Sequence, residues 1–230
     1  MKTIGLIGGT TWVSTVEYYK VINREINKRL GGANSAKILL YSVNQEEFKP
    51  PLDPHEWAKV ADFFIGIARR LENAGADCLL LCANTPHMAA DMVQKNIRIP
   101  LIHIAEVTGR EVQKQRITKV GLLGTKITME QPFYRDRLTK FGITTLIPGE
   151  NDRDFIHTTI FAELGKEIFK PGTKKRYLDI VDRLTDQGAN GIIFGCTEIP
   201  LLLKQSDCSV PVFDTTTIHS MAAVDFALSE

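Results

Sequence analysis

Apolar residues along the chain fall into two rhythms. Short unbroken runs, among them Ile4-Gly5-Leu6-Ile7-Gly8, Cys78-Leu79-Leu80-Leu81, Val120-Gly121-Leu122-Leu123-Gly124 and Gly191-Ile192-Ile193-Phe194, have the length and continuity of strands buried on both faces. Elsewhere apolar residues recur at steps of three and four. Trp57, Val60, Ala61, Phe64, Ala68 and Leu71 form one such stripe, ending before Gly75; Tyr177, Ile180, Val181 and Leu184 form another, ending before Gly188. Each stripe predicts a helix with one buried face, closed by a glycine that can take the left-handed conformation. Continuous strands alternating with such helices predict an α/β protein whose parallel sheets carry helices on both sides.

The pattern occurs twice. Ile4–Gly8 corresponds to Val120–Gly124 at an offset of 116; Ala74-Gly75-Ala76-Asp77 and the strand after it correspond to Gln187-Gly188-Ala189-Asn190 and its strand at 113; Ile99-Pro100-Leu101-Ile102 corresponds to Val210-Pro211-Val212-Phe213 at 111. Same order and nearly constant spacing mark an internal repeat. We expect two pseudo-symmetric, doubly wound lobes, 1–112 and 113–230, divided in the polar stretch Arg110–Arg116, in an architecture that allows a terminal element to be exchanged between lobes. Open parallel sheets bind ligands beyond the carboxyl ends of their strands. The expectation is therefore an active site in the inter-lobe cleft, flanked by Ala83 and Cys196.

Composition narrows the function. The 230 residues carry 28 Lys and Arg against 27 Asp and Glu, a formal charge of +1, which offers no general attraction to nucleic acid or an anionic membrane. The apolar run at the N-terminus is too short for a secretory signal or a span, so a cytoplasmic location is expected. Cys78, Cys82, Cys196 and Cys208 have neither disulfide-framework nor zinc spacing, and the histidines show no HExxH or comparable motif, so no metal is expected. Gly8-Gly9-Thr10 is not a nucleotide fingerprint: Val13 stands where GxGxxG needs glycine, and no GK[ST] occurs. Those glycines are expected to admit substrate or the opposite lobe.

The candidate chemistry sits at two strand ends. Cys82-Ala83-Asn84-Thr85-Pro86-His87 follows one strand, and Gly195-Cys196-Thr197-Glu198-Ile199-Pro200 follows its counterpart, pairing Ala83 with Cys196 and Asn84 with Thr197. Asn84 and Thr197 are suited to cap the next helix, and free backbone N–H groups there would receive a carboxylate. A helix N-terminus can also lower a thiol pKa, which makes Cys196 a candidate thiolate base. Cys78 and Cys208 read as inert.

These residues resemble the aspartate/glutamate racemase family along essentially the whole chain. The resemblance rests on Gly5-Leu6-Ile7-Gly8-Gly9-Thr10, Ala83-Asn84-Thr85-Pro86-His87, Leu123-Gly124-Thr125, Gly195-Cys196-Thr197-Glu198 and Pro211-Val212-Phe213-Asp214. It implies a cofactor-independent enzyme, a homodimer, with one catalytic cysteine in each lobe and a small amino-acid or dicarboxylate substrate. Substrate-binding positions follow: Thr10, Ala83, Asn84, Thr85, Thr125 and Thr197 around the reacting carbon, with Lys49 and Lys166 for a distal carboxylate. One departure matters. The family pattern C-N-T-x-H reads here with Ala83 in place of the first cysteine, and some relatives carry Thr there. Cys82 is one residue early and points to the other side of an extended strand.

Three functions follow from a single remaining thiol. One is a racemase or epimerase in which Cys196 works on one face, slow or one-directional because Ala83 offers no proton. Another is a decarboxylase resembling the arylmalonate type, with Cys196 protonating a carbanion left by lost CO2. The third is an amino-acid binding protein that kept the pocket without turnover.

Overall fold

A computed structural model describes residues 1–47, 51 and 56–230. The described strands and α-helices, in order, are β1 (Ile4–Gly8), α1 (Trp12–Leu30), β2 (Ile38–Ser42), α2 (Trp57–Asn73), β3 (Cys78–Leu81), α3 (Ala90–Gln94), α4 (Ile104–Lys114), β4 (Lys119–Gly124), α5 (Lys126–Glu130), α6 (Pro132–Thr139), β5 (Thr144–Leu146), α7 (Glu150–Ala162), α8 (Pro171–Asp186), β6 (Ile192–Gly195), α9 (Ile199–Leu202), β7 (Val212–Asp214) and α10 (Thr215–Leu228). They form two parallel sheets, ordered β2-β1-β3 and β5-β4-β6-β7. Among the described residues no helix is long and apolar enough to cross a membrane.

Two compact units carry these sheets: Met1–Ile104 with Thr216–Glu230, and Ala105–Thr215. The 112/113 division expected from the polar stretch falls inside α4, which runs unbroken through it. The chain instead passes between units at Ile104–Ala105 and returns at Thr215–Thr216, so the last helix packs with the first unit. Its Ala223, Val224 and Ala227 share a core with Ile4, Leu6, Tyr18, Ile22, Ile26, Cys78, Leu80 and Cys82.

Register expresses the repeat directly. Ile7 stands beside Leu81 in the first sheet as Leu123 stands beside Phe194 in the second. Leu101 bridges Leu79 as Val212 pairs with Ile192, although the first of these contacts is a single bridge and the second belongs to a strand. The caps repeat as well. Gly75 at φ +97° and Gly188 at φ +93° follow α2 and α8, and the next residues, Ala76 and Ala189, donate back to Leu71 and Leu184. Every residue of β3 and β6 is buried, as their unbroken apolar runs require.

The first unit also encloses three histidines, His87, His103 and His219, with the His87 ring centroid 4.6 Å from that of His103 and 5.5 Å from that of His219. The His219 Nε2–H donates to the Ile102 carbonyl at 2.7 Å, which leaves Nδ1 to accept the Tyr18 hydroxyl at 2.8 Å. That pairing requires a neutral ring, and burial pushes its pKa down to about 4. The unfolded chain takes this proton near 6.5 and the folded one near 4, so the contribution to stability is complete above about pH 6.5 and is lost as pH falls toward 4. Denaturant titrations of wild type and His219→Gln should show a stability gap that narrows by about 3 kcal/mol between pH 7.5 and 4. A gap that stays constant would mean that His219 is not held neutral.

Candidate active site

In the second unit the strand order reverses direction between β4 and β6, the place where open α/β sheets receive ligands. Gly124 and Gly195 are register partners there. A Cβ on Gly124 would lie 2.7 Å from the Gly195 carbonyl oxygen, and one on Gly195 would lie 2.8 Å from a Leu122 methyl group. Glycine at both positions lets the strands end side by side, which delivers Thr125 and Cys196 from neighbouring strand ends. Thr125 caps α5, its Oγ1 accepting the Thr128 N–H at 3.2 Å.

Cys196, Thr197 and Glu198 are all buried, with Cys196 8% exposed and Glu198 1%. The Cys196 Sγ–H donates to Glu198 Oε2 at 2.8 Å, and the Thr197 hydroxyl donates to the same oxygen at 3.0 Å. Burial, then the neighbouring Glu198 carboxylate, push the thiol well above its ordinary pKa, while backbone N–H groups of Glu198 and Thr197 pull it down and lose. This overturns the expectation of a thiolate lowered by a helix N-terminus. The helix in question, α9, has only four residues and does not begin until Ile199. Burial also holds the hydroxyl of Tyr177, on α8, far above the ordinary tyrosine range, with a smaller push from Cys196 and Glu198; that hydroxyl pairs with Thr159 at 3.0 Å.

At the matching place in the first unit, β1 runs into Gly8-Gly9-Thr10. Gly9 has φ +85°, and a Cβ there would lie 2.1 Å from the Val43 carbonyl oxygen; one on Gly8 would overlap Thr15 at 2.3 Å. Both glycines thus admit close neighbours within their own unit. Gly9 N–H donates to Thr15 Oγ1 at 2.8 Å. Thr10 is buried, yet its Oγ1 has no hydrogen-bond partner among the described residues. The adjacent first turn of α1 contains no acidic residue.

After β3, Cys82 lies in the apolar core and burial drives its thiol pKa far upward. Ala83 is half-buried, and its carbonyl accepts the Nδ1–H of His87 at 2.9 Å. The other ring nitrogen accepts the Ile104 N–H at 3.2 Å, which fixes His87 in one neutral tautomer. His87 therefore holds the strand-end turn from behind. Asn84 is buried and Thr85 half-buried. Neither Asn84 nor Thr197 serves as the helix cap expected of it: Asn84 makes no side-chain cap bond, and Thr197 gives its hydroxyl to Glu198.

Lys166 ends a one-turn segment, Leu164–Lys166, that packs against α9, the helix following Cys196. Its side chain is exposed and makes no hydrogen bond or ion pair among the described residues. The basic run after it is largely committed: Lys170 pairs with Glu163, Lys174 with Asp207 and Arg176 with Asp152. Lys49 lies outside the described residues. Glu198 is the residue to which sequence reasoning gave no role. Its signal was its place two residues after the thiol, in the G-C-T-E string.

Two parallel sheets with polar side chains beyond their strand ends, and a buried thiol after β6, make this an α/β protein with its candidate chemistry at the strand ends. The Asp/Glu/Hydantoin racemase family pattern matches residues 7–223, and the chain belongs to that family. A crystal structure of a protein from Yersinia pestis, provisionally assigned as an Asp/Glu racemase, is 45% identical, with a TM-score of 0.92 and full coverage of both chains. An aspartate racemase homologue from Pyrococcus horikoshii is 36% identical with a TM-score of 0.85, again over all of both chains. The broad specificity amino-acid racemase RacX of Bacillus subtilis is 24% identical over 98% of each sequence.

Proposed function

We propose that this protein is a cofactor-independent amino-acid racemase or epimerase of the aspartate/glutamate type, in which Cys196 moves the α-proton. The observation that carries this reading is the buried Cys196 thiol at the carboxyl end of β6, beside Thr125 at the switch point of its sheet. Removing an α-proton leaves negative charge that spreads into the substrate carboxylate. Thr125 and the backbone N–H groups after Cys196 are the donors for that charge, with Thr10, Ala83, Asn84, Thr85 and Thr197 completing the substrate-binding set. Lys166 and Lys49 are assigned to a distal carboxylate. The exposed, unpaired ammonium of Lys166, on a segment packed against α9, supports the first of these. A homodimer is part of the proposal, supported by the exposed stripe of Trp12, Val16 and Tyr19 on α1.

Ala83 has no proton to give, so inversion is slow while exchange on the Cys196 face continues. The protonated resting state of the thiol also favours a second reading, the single-cysteine decarboxylase, because a thiol is the form that hands a proton to a carbanion. Proton NMR in D2O tests the assignment. Aspartate or glutamate should take up α-deuterium faster than its mirror image accumulates. No exchange, together with CO2 release from a substituted malonate, would establish the decarboxylase. No chemistry, but a ligand-induced rise in melting temperature, would establish a binding protein.

A further inference from the structure

Cys196 and Glu198 are two acidic groups in hydrogen-bond contact, both buried, with Thr197 directed at the same carboxylate oxygen. Two negative charges so close in a dry site repel strongly, so the pair holds one charge and one proton between its members. We propose that Glu198 is the proton store of Cys196: it takes the thiol proton when the sulfur acts as a base and returns it afterwards. This rests on the proposed α-proton chemistry and adds to it a residue that acts through the thiol.

The steps balance without another reactant. At rest the sulfur carries the proton and Glu198 the charge. The S–H bond breaks and an O–H bond forms on Oε2, leaving thiolate beside a neutral carboxylic acid. The thiolate then takes the α-proton: the C–H bond breaks, an S–H bond forms, and the electron pair stays on the substrate, delocalised into its carboxylate. The single negative charge has passed from Glu198 to substrate, and the site never holds two anions of its own. Reversal of the steps returns a proton to the same face. The Thr197 hydroxyl steadies Oε2 while the carboxylate is ionised. Among the described residues Tyr177 on α8 also faces the pair, held protonated and occupied with Thr159.

The test is Glu198→Gln, which keeps the size and an acceptor oxygen but cannot store a proton. In wild type, iodoacetamide alkylation of Cys196 should show a plateau across neutral pH, where the thiolate with neutral Glu198 is a constant small fraction, before rising at alkaline pH. Glu198→Gln should lose the plateau and show one rise, displaced to lower pH because the repelling carboxylate is gone. Exchange in D2O should fall by roughly 100-fold or more in kcat with little change in KM, and Glu198→Asp should recover part of it. A Gln variant that keeps exchange within about threefold, or the wild-type alkylation profile, overturns the proton store. If Glu198→Gln does not fold, the Glu198→Asp profile decides: an unaltered plateau midpoint counts against the proposal and a displaced one supports it. The profile needs no turnover, so it stands if the substrate class is wrong. Exchange surviving in Cys196→Ser would overturn the underlying reading instead.

Discussion

Replacing Cys196 with Ser should reduce α-proton exchange by roughly 10²–10⁴-fold, the range over which a positioned acid or base acts, while the protein keeps its fold. Serine retains a donor toward Glu198 Oε2 in the place where the thiol now donates at 2.8 Å, so the buried carboxylate is not stranded. A serine hydroxyl is, however, a far weaker acid than a thiol and will not cycle a proton near neutral pH. The contrast is with Cys78 and Cys82, both in the apolar core beneath α1 and α10. Burial raises all three thiols, Cys78 to about 12 and Cys82 further still, and what sets Cys196 apart is the hydrogen bond from its sulfur to the Glu198 carboxylate. Serine in place of Cys78 or Cys82 should leave turnover intact and cost ~1–3 kcal/mol for an apolar-buried hydroxyl. Steady-state exchange and thermal melts on the three variants check both halves. Full activity in Cys196→Ser would remove the thiol from the mechanism, and lost activity in a stable Cys82→Ser would make that residue a participant.

Strands and repeat were legible because buried parallel strands are apolar without interruption, and because register carries sequence offsets unchanged into space. Ile7 beside Leu81 and Leu123 beside Phe194 are the same contact at the spacing read from sequence. The caps at Gly75 and Gly188 were legible for a similar reason: a left-handed residue after an apolar stripe leaves little choice of amino acid. Two strands carried weaker marks. Ile38–Ser42 is only partly buried, and Thr144–Leu146 is three residues long, so neither presents the unbroken apolar run that identified β1, β3, β4 and β6. The unit boundary was misplaced because the polar residues of Arg110–Arg116 mark the end of a helix and the turn after it, not a linker.

At the site, residue types were legible and electrostatics were not. The G-C-T-E string marks a thiol at a strand end, but the same string fits a thiolate lowered by a helix and a thiol raised by a carboxylate. What decides is that α9 is one turn long and that Glu198 folds back to within 2.8 Å of Sγ. Sequence spacing gives no account of that direction, because a residue two positions away in a tight turn can point toward its neighbour or away. Gly8 and Gly9 were ambiguous likewise. Their need for space was readable, but which atoms take that space, Thr15 and Val43, depends on α1 and on the residue just past β2.

Introducing a thiol at Ala83 should raise inversion far more than exchange. Ala83 holds in its unit the place that Cys196 holds in the other, two residues beyond a strand residue with the same register. Its surroundings are prepared for such a group: Cβ already exists, the residue is half-buried, and its carbonyl is fixed by His87, which is itself anchored on the Ile104 N–H. In the proposed reaction a cysteine at this position is the second proton-transfer group, since racemisation that removes a proton on one face must replace it on the other. In D2O, wild type should label one enantiomer with little of its mirror image, whereas Ala83→Cys should produce labelled product of both hands at comparable rates. The gain in inversion should reach roughly 10²-fold or more, the lower end for a positioned acid or base. Ala83→Ser is the control for size and polarity without a readily transferred proton, and should give little. Equal rates of exchange and inversion in the unmodified protein would refute the premise that Ala83 leaves one face without a proton donor, and water held near Asn84 or Thr85 would then be the group to trace by solvent isotope effects.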